Sequence, residues 1–253
     1  MEPTKQKFLL IRHAESEFNL ERATSKDRSS VIYNKYLIDC KITNTGESQI
    51  SFSMSKINPL PISLVLVSPL KRALQTAKFL FKDHPSNPRF VVVPYLRERV
   101  SASCDLSDFI DKPLKEFEEF DWSNMMKLIE GKKGVYWLSE ELCNVEAMDE
   151  IRKISDPDDQ KMEIVKWMEE YFKSEKKENG NKKQKFETVK IFQKNIEKLI
   201  KFLAQLKEKR ILTGELGDTI AIVSHGGTLK ELCMRGGIEN YIFDNCEMKE
   251  FFL

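Results

Sequence analysis

The sequence predicts an α/β fold: a three-layer sandwich with a largely parallel central sheet and a helical cap insertion. Three observations predict it. Short, wholly apolar runs alternate with amphipathic helical stretches. Those runs stop abruptly in polar residues, as strands buried on both faces do when their carboxyl ends meet solvent. Between about residues 100 and 185 the pattern changes, losing its strand candidates and carrying all three tryptophans, Trp122, Trp137 and Trp167.

Phe8-Leu9-Leu10-Ile11 is the first such run and ends in Arg12-His13. Ile62 to Val67 is the second, closed by Ser68-Pro69; the spacing of Leu70, Ala73, Leu74, Ala77 and Leu80 behind it describes a one-sided helix. Phe90 to Val93, stopped by Pro94, is a third strand. Residues 186–206 form the clearest helix, with Val189, Ile196, Leu199 and Leu203 on one face and Lys and Glu on the other. Thr219 to Val223 is a strand again, leading through Ser224-His225-Gly226-Gly227-Thr228 into a helix. In open parallel sheets, sites lie outside the carboxyl ends of the strands. Arg12-His13, Ser68-Pro69 and Ser224-His225 are therefore expected to meet at one edge.

With 253 residues and 41% hydrophobic content, the chain can fold as a single domain over residues 1–253 with its own core, the cap inserted at about 100–185. Ser174 to Lys185 has no apolar residue and is expected to be a mobile surface loop. Lys+Arg 41 against Asp+Glu 40 gives no drive toward nucleic acid or an anionic membrane. The polar start, with four apolar residues before Arg12, is too short a run for a signal peptide or a membrane span. Five scattered cysteines without a Cys-x-x-Cys pair suggest reduced thiols, hence a cytoplasmic protein. No His, Cys or carboxylate cluster has metal spacing, so neither metal nor cofactor is expected. Of the three histidines, His84 sits in Lys82-Asp83-His84-Pro85, expected to be an exposed turn.

Four pieces remain: Arg12-His13-Ala14-Glu15-Ser16-Glu17-Phe18-Asn19, Ser68-Pro69-Leu70-Lys71-Arg72, Leu96-Arg97-Glu98-Arg99, and Val223-Ser224-His225-Gly226-Gly227-Thr228. Their order and content resemble the histidine phosphatase superfamily, in its phosphoglycerate-mutase-like branch. Asp39 to Gln49 and Asn245-Cys246-Glu247 are similar to further segments of that family. The resemblance covers residues 8–99 and 186–253 and leaves the cap largely outside. It implies that His13 is the nucleophile, that Arg12 and Arg72 hold the phosphate with help from Ser16 and Asn19, and that His225 donates to the transferring group. Glu98 is implied as the proton donor, with Asp105 as the rival acid. The residue types suit that chemistry. Phosphoryl transfer needs positioning and charge stabilisation around three oxygens, and a guanidinium supplies a planar, permanently charged fork.

Within the family, a phosphatase acting on a phosphorylated small molecule or phosphoprotein is the expectation. A phosphoglycerate-mutase-type phosphotransferase and an inactive scaffold are the alternatives. Glu98-Arg99-Val100-Ser101-Ala102 departs after two residues from the mutase Glu-Arg-x-Tyr-Gly. The mutases' adjacent arginine pair is also missing from 105–185, where Arg152 is the single arginine. That stretch holds 21 Asp/Glu against 15 Lys/Arg. A substrate of modest charge is therefore expected, unless Arg22, Arg28, Arg97 or Arg99 compensates.

Overall fold

The computed structural model describes residues 5–108, 110–129, 150–151, 153–178, 187–213 and 218–253. Its sheet has five strands: β1 (Lys7–Arg12), β2 (Ile62–Val67), β3 (Arg89–Val92), β4 (Thr219–Ser224) and β5 (Met248–Phe252), in the order β3-β2-β4-β1-β5. All pairings are parallel except β1 with β5. The helices are α1 (Glu17–Thr24), α2 (Arg28–Ile32), α3 (Asn44–Ile57), α4 (Lys71–Leu80), α5 (Asp111–Glu116), α6 (Ser123–Ile129), α7 (Pro157–Glu178), α8 (Val189–Thr213) and α9 (Gly226–Arg235).

The central strands are apolar over most of their length because alternate side chains enter opposite cores. Leu9, Ile11, Val65, Val67, Ala221 and Val223 face α3, α4, α5 and α6. Phe8, Leu10, Leu64, Leu66, Ile220 and Ile222 face α8 and α9. These are the three layers. Leu10 has no exposed surface, so Leu10→Ala would cost about 2–5 kcal/mol.

The register fixes the functional edge. Arg12 pairs with Ser224, and Val67 with Val223. His13, Ser68 and His225 are therefore each the first residue beyond a strand, side by side. Backbone bonds from His13 N to the Ser224 carbonyl (2.9 Å) and from Ser68 N to the Val223 carbonyl (3.0 Å) carry the ladder one step further.

Several elements differ from the sequence reading. Strand β5 was not expected. Its Lys249 and Glu250 break the apolar pattern, and only Phe251 is buried, as on an edge strand. Helix α3 is started by Thr43, whose side chain accepts from Gly46 N. His84 is buried rather than exposed: its Nε2 lies 3.2 Å from the Ile57 carbonyl, and its Nδ1 accepts from Ser86 N. Ser174 to Glu178 is the last turn of α7, not loop, since Lys and Glu are good helix formers. The rest of that stretch, and Trp137, lie outside the described residues.

Of the stretch read as a cap, residues 110–129 pack into the sheet's own core through Phe117, Phe120, Trp122 and Met125. Asp121 bridges to Val91 beside β3. Helix α7 packs elsewhere, placing Ile164, Val165 and Met168 against Ile38, Val100 and Leu106.

Candidate active site

His13 has 4% of its surface exposed and His225 none; their ring centroids are 5.1 Å apart. His13 Nδ1 lies 2.7 Å from the Ala14 carbonyl. A carbonyl can only accept, so Nδ1 carries the proton and Nε2 keeps a lone pair. Arg72 Nε donates to that Nε2 at 3.3 Å, which agrees. Burial, then the charges of Arg72 and Arg12, push the His13 imidazolium well below its ordinary range. His13 is thus a neutral imidazole whose Nε2 lone pair accepts from a guanidinium.

Arg72 stands in the first turn of α4. Leu70 gives that helix no side-chain cap, and Asp39 supplies one from a distance by accepting from Lys71 N at 2.7 Å. Arg72 then donates to the Cys104 carbonyl and, at 2.9 Å, to Asp105 Oδ1, both partners of the ion pair being buried. The other Asp105 oxygen accepts from Ser101 N, Ser101 Oγ and Ala102 N at 2.9, 3.0 and 3.1 Å. Asp105, the rival acid of the sequence reading, is fully engaged as an acceptor that holds Arg72.

Glu98 has a different setting. Its Oε1 accepts from Arg99 N (2.8 Å) and its Oε2 from Gly227 N (2.9 Å) at the start of α9. Among the described residues, no cation pairs with it directly. Burial, then repulsion from Asp105, raises its carboxyl to about 7, against the lowering pull of those two N–H groups and of Arg72. The adjacent Arg97 turns away from the cleft and forms a buried bidentate pair with Glu187, at 2.7 and 2.5 Å.

Arg12 donates to the Phe243 carbonyl at 2.6 Å, while its Nε is buried without a partner. Burial lowers its guanidinium from the ordinary value. Asn19 Oδ1 accepts from Ser16 N, Ser16 Oγ and Asn245 Nδ2, which leaves the Asn19 amide nitrogen as the end free to donate. Ser16 is the N-cap of α1 and its hydroxyl proton goes to Asn19. The structure thus brings His13, His225, Arg12, Arg72, Glu98, Asn19 and Ser16 together. All but the fully buried His225 line one cleft of about 450 Å³.

The same cleft is also lined by Arg22, Arg99 and Lys230 and by Phe18, Ile242 and Phe243. Of the four arginines named as possible compensators, Arg22 and Arg99 line it; Arg97 is spent on Glu187, and Arg28 is not among the lining residues. Lys230 and the contact between Gly227 and Glu98 were not singled out from sequence. Lys230 lies one turn past the His225-Gly226-Gly227 motif, so helical periodicity could have found it. Among the described residues, no three His, Cys, Asp or Glu side chains group as a metal site would need. No described helix is long and apolar enough to cross a membrane.

An imidazole kept neutral between two arginines thus stands at the carboxyl edge of the parallel sheet. Residues 8–120 match the model of the histidine phosphatase superfamily, branch 1. The match spans Arg12, His13, Arg72 and Glu98; His225 joins them through the sheet register. No curated protein matches the chain. Among solved structures, a phosphoglycerate mutase from Bacillus anthracis is 13% identical, with TM-score 0.53, over 100% of this chain and 91% of that one. The alpha-ribazole phosphatase from Shigella flexneri is 16% identical, with TM-score 0.51, over 97% of this chain and 89% of that one. At such identity the likeness establishes the fold alone.

Proposed function

We propose that the protein is a phosphatase that hydrolyses a phosphomonoester through a phosphohistidine at His13, without a metal. The observation that carries this reading is the state of His13: neutral, with Nδ1 fixed by a carbonyl and Nε2 turned toward Arg72. In the first step Nε2 bonds to phosphorus and the bond to the leaving oxygen breaks. Glu98, protonated below about pH 7, gives that oxygen its proton. In the second step water attacks the phosphohistidine, Glu98 takes a proton back, and the N–P bond breaks to release phosphate. Arg12 and Arg72 supply positive charge to the phosphoryl oxygens throughout.

The lining of the cleft revises the expected substrate charge. Arg22, Arg99 and Lys230 add three cations beyond the two arginines at His13. They favour a phosphomonoester carrying a second anionic group, with Phe18 and Ile242 against its apolar part. Salt screens charges that lie farther off than about 8–10 Å, so the cations lining the cleft act most directly on a bound anion.

The test is hydrolysis of aryl and alkyl phosphates with EDTA present, combined with acid quench of labelled enzyme. Turnover unaffected by EDTA is expected, together with an acid-labile phosphoenzyme that His13→Ala lacks. A requirement for one divalent ion, or a phosphoenzyme that survives in His13→Ala, would overturn the proposal. Transfer of the label to a second alcohol in preference to water would make the protein a phosphotransferase instead.

A further inference from the structure

The two buried histidines are held in opposite senses. His13 has Nδ1 fixed by a carbonyl and Nε2 accepting from Arg72 Nε; His225 has Nε2 engaged, 2.7 Å from Ser68 Oγ, and Nδ1 without a partner among the described residues. Burial and the neighbouring Arg72, His13 and Arg12 push the His225 imidazolium well below its ordinary range, so the ring carries one proton. Which nitrogen holds it decides what His225 can do. A bare lone pair at Nδ1 would repel a phosphoryl oxygen, and an N–H there would bind it.

The hydrogen-bond count around Ser68 distinguishes the two. Ser68 has no exposed surface, and its Oγ makes two contacts: it accepts from Leu70 N at 3.3 Å and meets His225 Nε2. If Nε2 carried the proton, the serine O–H would be buried with no acceptor and the Nδ1 lone pair buried with no donor. If the serine donates to Nε2, only the Nδ1–H is left over. Buried polar groups are rarely left unpaired, and the second arrangement has one such group where the first has two. That single leftover donor is the one a phosphoryl oxygen would satisfy.

We propose that Ser68 is a positioning residue: its hydroxyl donates to His225 Nε2 and thereby fixes the Nδ1–H tautomer that binds the transferring phosphoryl group. The inference rests on the phosphatase reading for its purpose, but not for its geometry. Pro69, which has no N–H, follows Ser68 and the chain turns at once into α4, so the strand-end serine is held against β4. The same Ser-Pro turn thus serves both sides of the site, orienting His225 through Ser68 and delivering Arg72 through α4.

The experiment is ¹⁵N–¹H long-range NMR of the ¹⁵N-histidine-labelled protein, alone and with inorganic vanadate. With only His13, His84 and His225 in the chain, assignment by single substitution is direct. The expected spectrum of the vanadate-bound protein shows His225 with Nδ1 pyrrole-like and Nε2 pyridine-like, and His13 bound to a proton at Nδ1. Ser68→Ala should move His225 toward the Nε2–H form and lower kcat about tenfold or more with little change in KM, as loss of an orienting partner does elsewhere. Protonated Nε2 in the wild-type vanadate complex overturns the inference, whether or not Ser68→Ala folds. So does Ser68→Ala with an unaltered tautomer. A protein with the expected tautomer but no hydrolysis of any phosphate would instead overturn the phosphatase reading and leave the role of Ser68 standing.

Discussion

The floor of the cleft and its wall are built by different means. The floor is His13, with Ser68 and His225 buried beside it, each one residue past a parallel strand, and the sheet register sets their mutual positions. The wall is residues 98–105, which follow β3 without regular pairing and are held by side chains: Asp105 with three local donors, Glu98 with two backbone N–H groups, Arg97 with Glu187. The floor therefore presents similar groups, two neutral imidazoles. The wall splits two similar groups apart. Asp105 is spent on Arg72, while Glu98 has no direct cation partner among the described residues and is raised to about 7. Register makes equivalent sites, and local hydrogen bonding makes different ones out of the same chemistry.

The largest expected effect breaks the floor. His13→Ala removes the proposed nucleophile, and activity on every phosphomonoester should fall by at least about 10³-fold, measured as initial rates on aryl and alkyl substrates side by side. Next is the wall residue that serves the floor. Asp105→Asn leaves Arg72 without its carboxylate, so aryl and alkyl hydrolysis should fall together, by about 10²-fold. Breaking a buried ion pair also costs roughly 3–5 kcal/mol, so the melting temperature should drop as well. A loss confined to alkyl substrates would return Asp105 to the role of acid.

The same contrast explains what could be read in the sequence. Phe8 to Ile11, Ile62 to Val67 and Thr219 to Val223 are apolar on both faces, so their ends, and with them His13, Ser68 and His225, were legible as one edge. Arg72 followed from the helix after β2. Edge strand β5 was not legible, because half of it meets solvent and its composition carries no strand signal. Nor could sequence choose between Glu98 and Asp105. The choice depends on Arg72 reaching Asp105 across 33 positions and on Gly227 reaching Glu98 across 129. His84 failed for a similar reason: the Ile57 carbonyl that buries it is 27 residues away.

Glu98→Gln should then show the wall acting alone. An alkyl alcohol leaves poorly without a proton, whereas an activated aryl oxide leaves unaided. Alkyl hydrolysis should fall by about 10²-fold and aryl hydrolysis much less. The pH profile gives the sign. As a proton donor Glu98 must be protonated, so alkyl turnover should decline as pH rises through about 7 and that limb should vanish in the mutant. The acid limb, where His13 takes up a proton and loses its lone pair, should lie below the ordinary imidazole range in both proteins.

The smallest expected effect, and the sharpest for the comparison, comes from the contact between wall and floor. Gly227 N donates to Glu98 Oε2, and a Cβ at that position would overlap Glu98 Oε1 and stand 3.1 Å from its Cδ. The described backbone has positive-φ glycine only at Gly237, so alanine at 227 meets no conformational strain. Within α9, alanine is the better helix former by about 1 kcal/mol. Gly227→Ala should therefore melt at the same temperature as the wild type or slightly higher, yet displace the Glu98 carboxyl. A displacement of that size at a reacting group should lower alkyl phosphate hydrolysis by about tenfold and largely spare aryl phosphates. Displacing the Glu98 carboxyl breaks its bond from the backbone N–H of residue 227, one of the two that hold that carboxyl down, so the basic limb should move upward in pH. Stability up, alkyl turnover down and the basic limb displaced would tie proton donation to the place where Glu98 meets α9. Equal losses on both substrates, with the basic limb unmoved, would mean that the methyl group obstructs the phosphate and that Glu98 is not the acid.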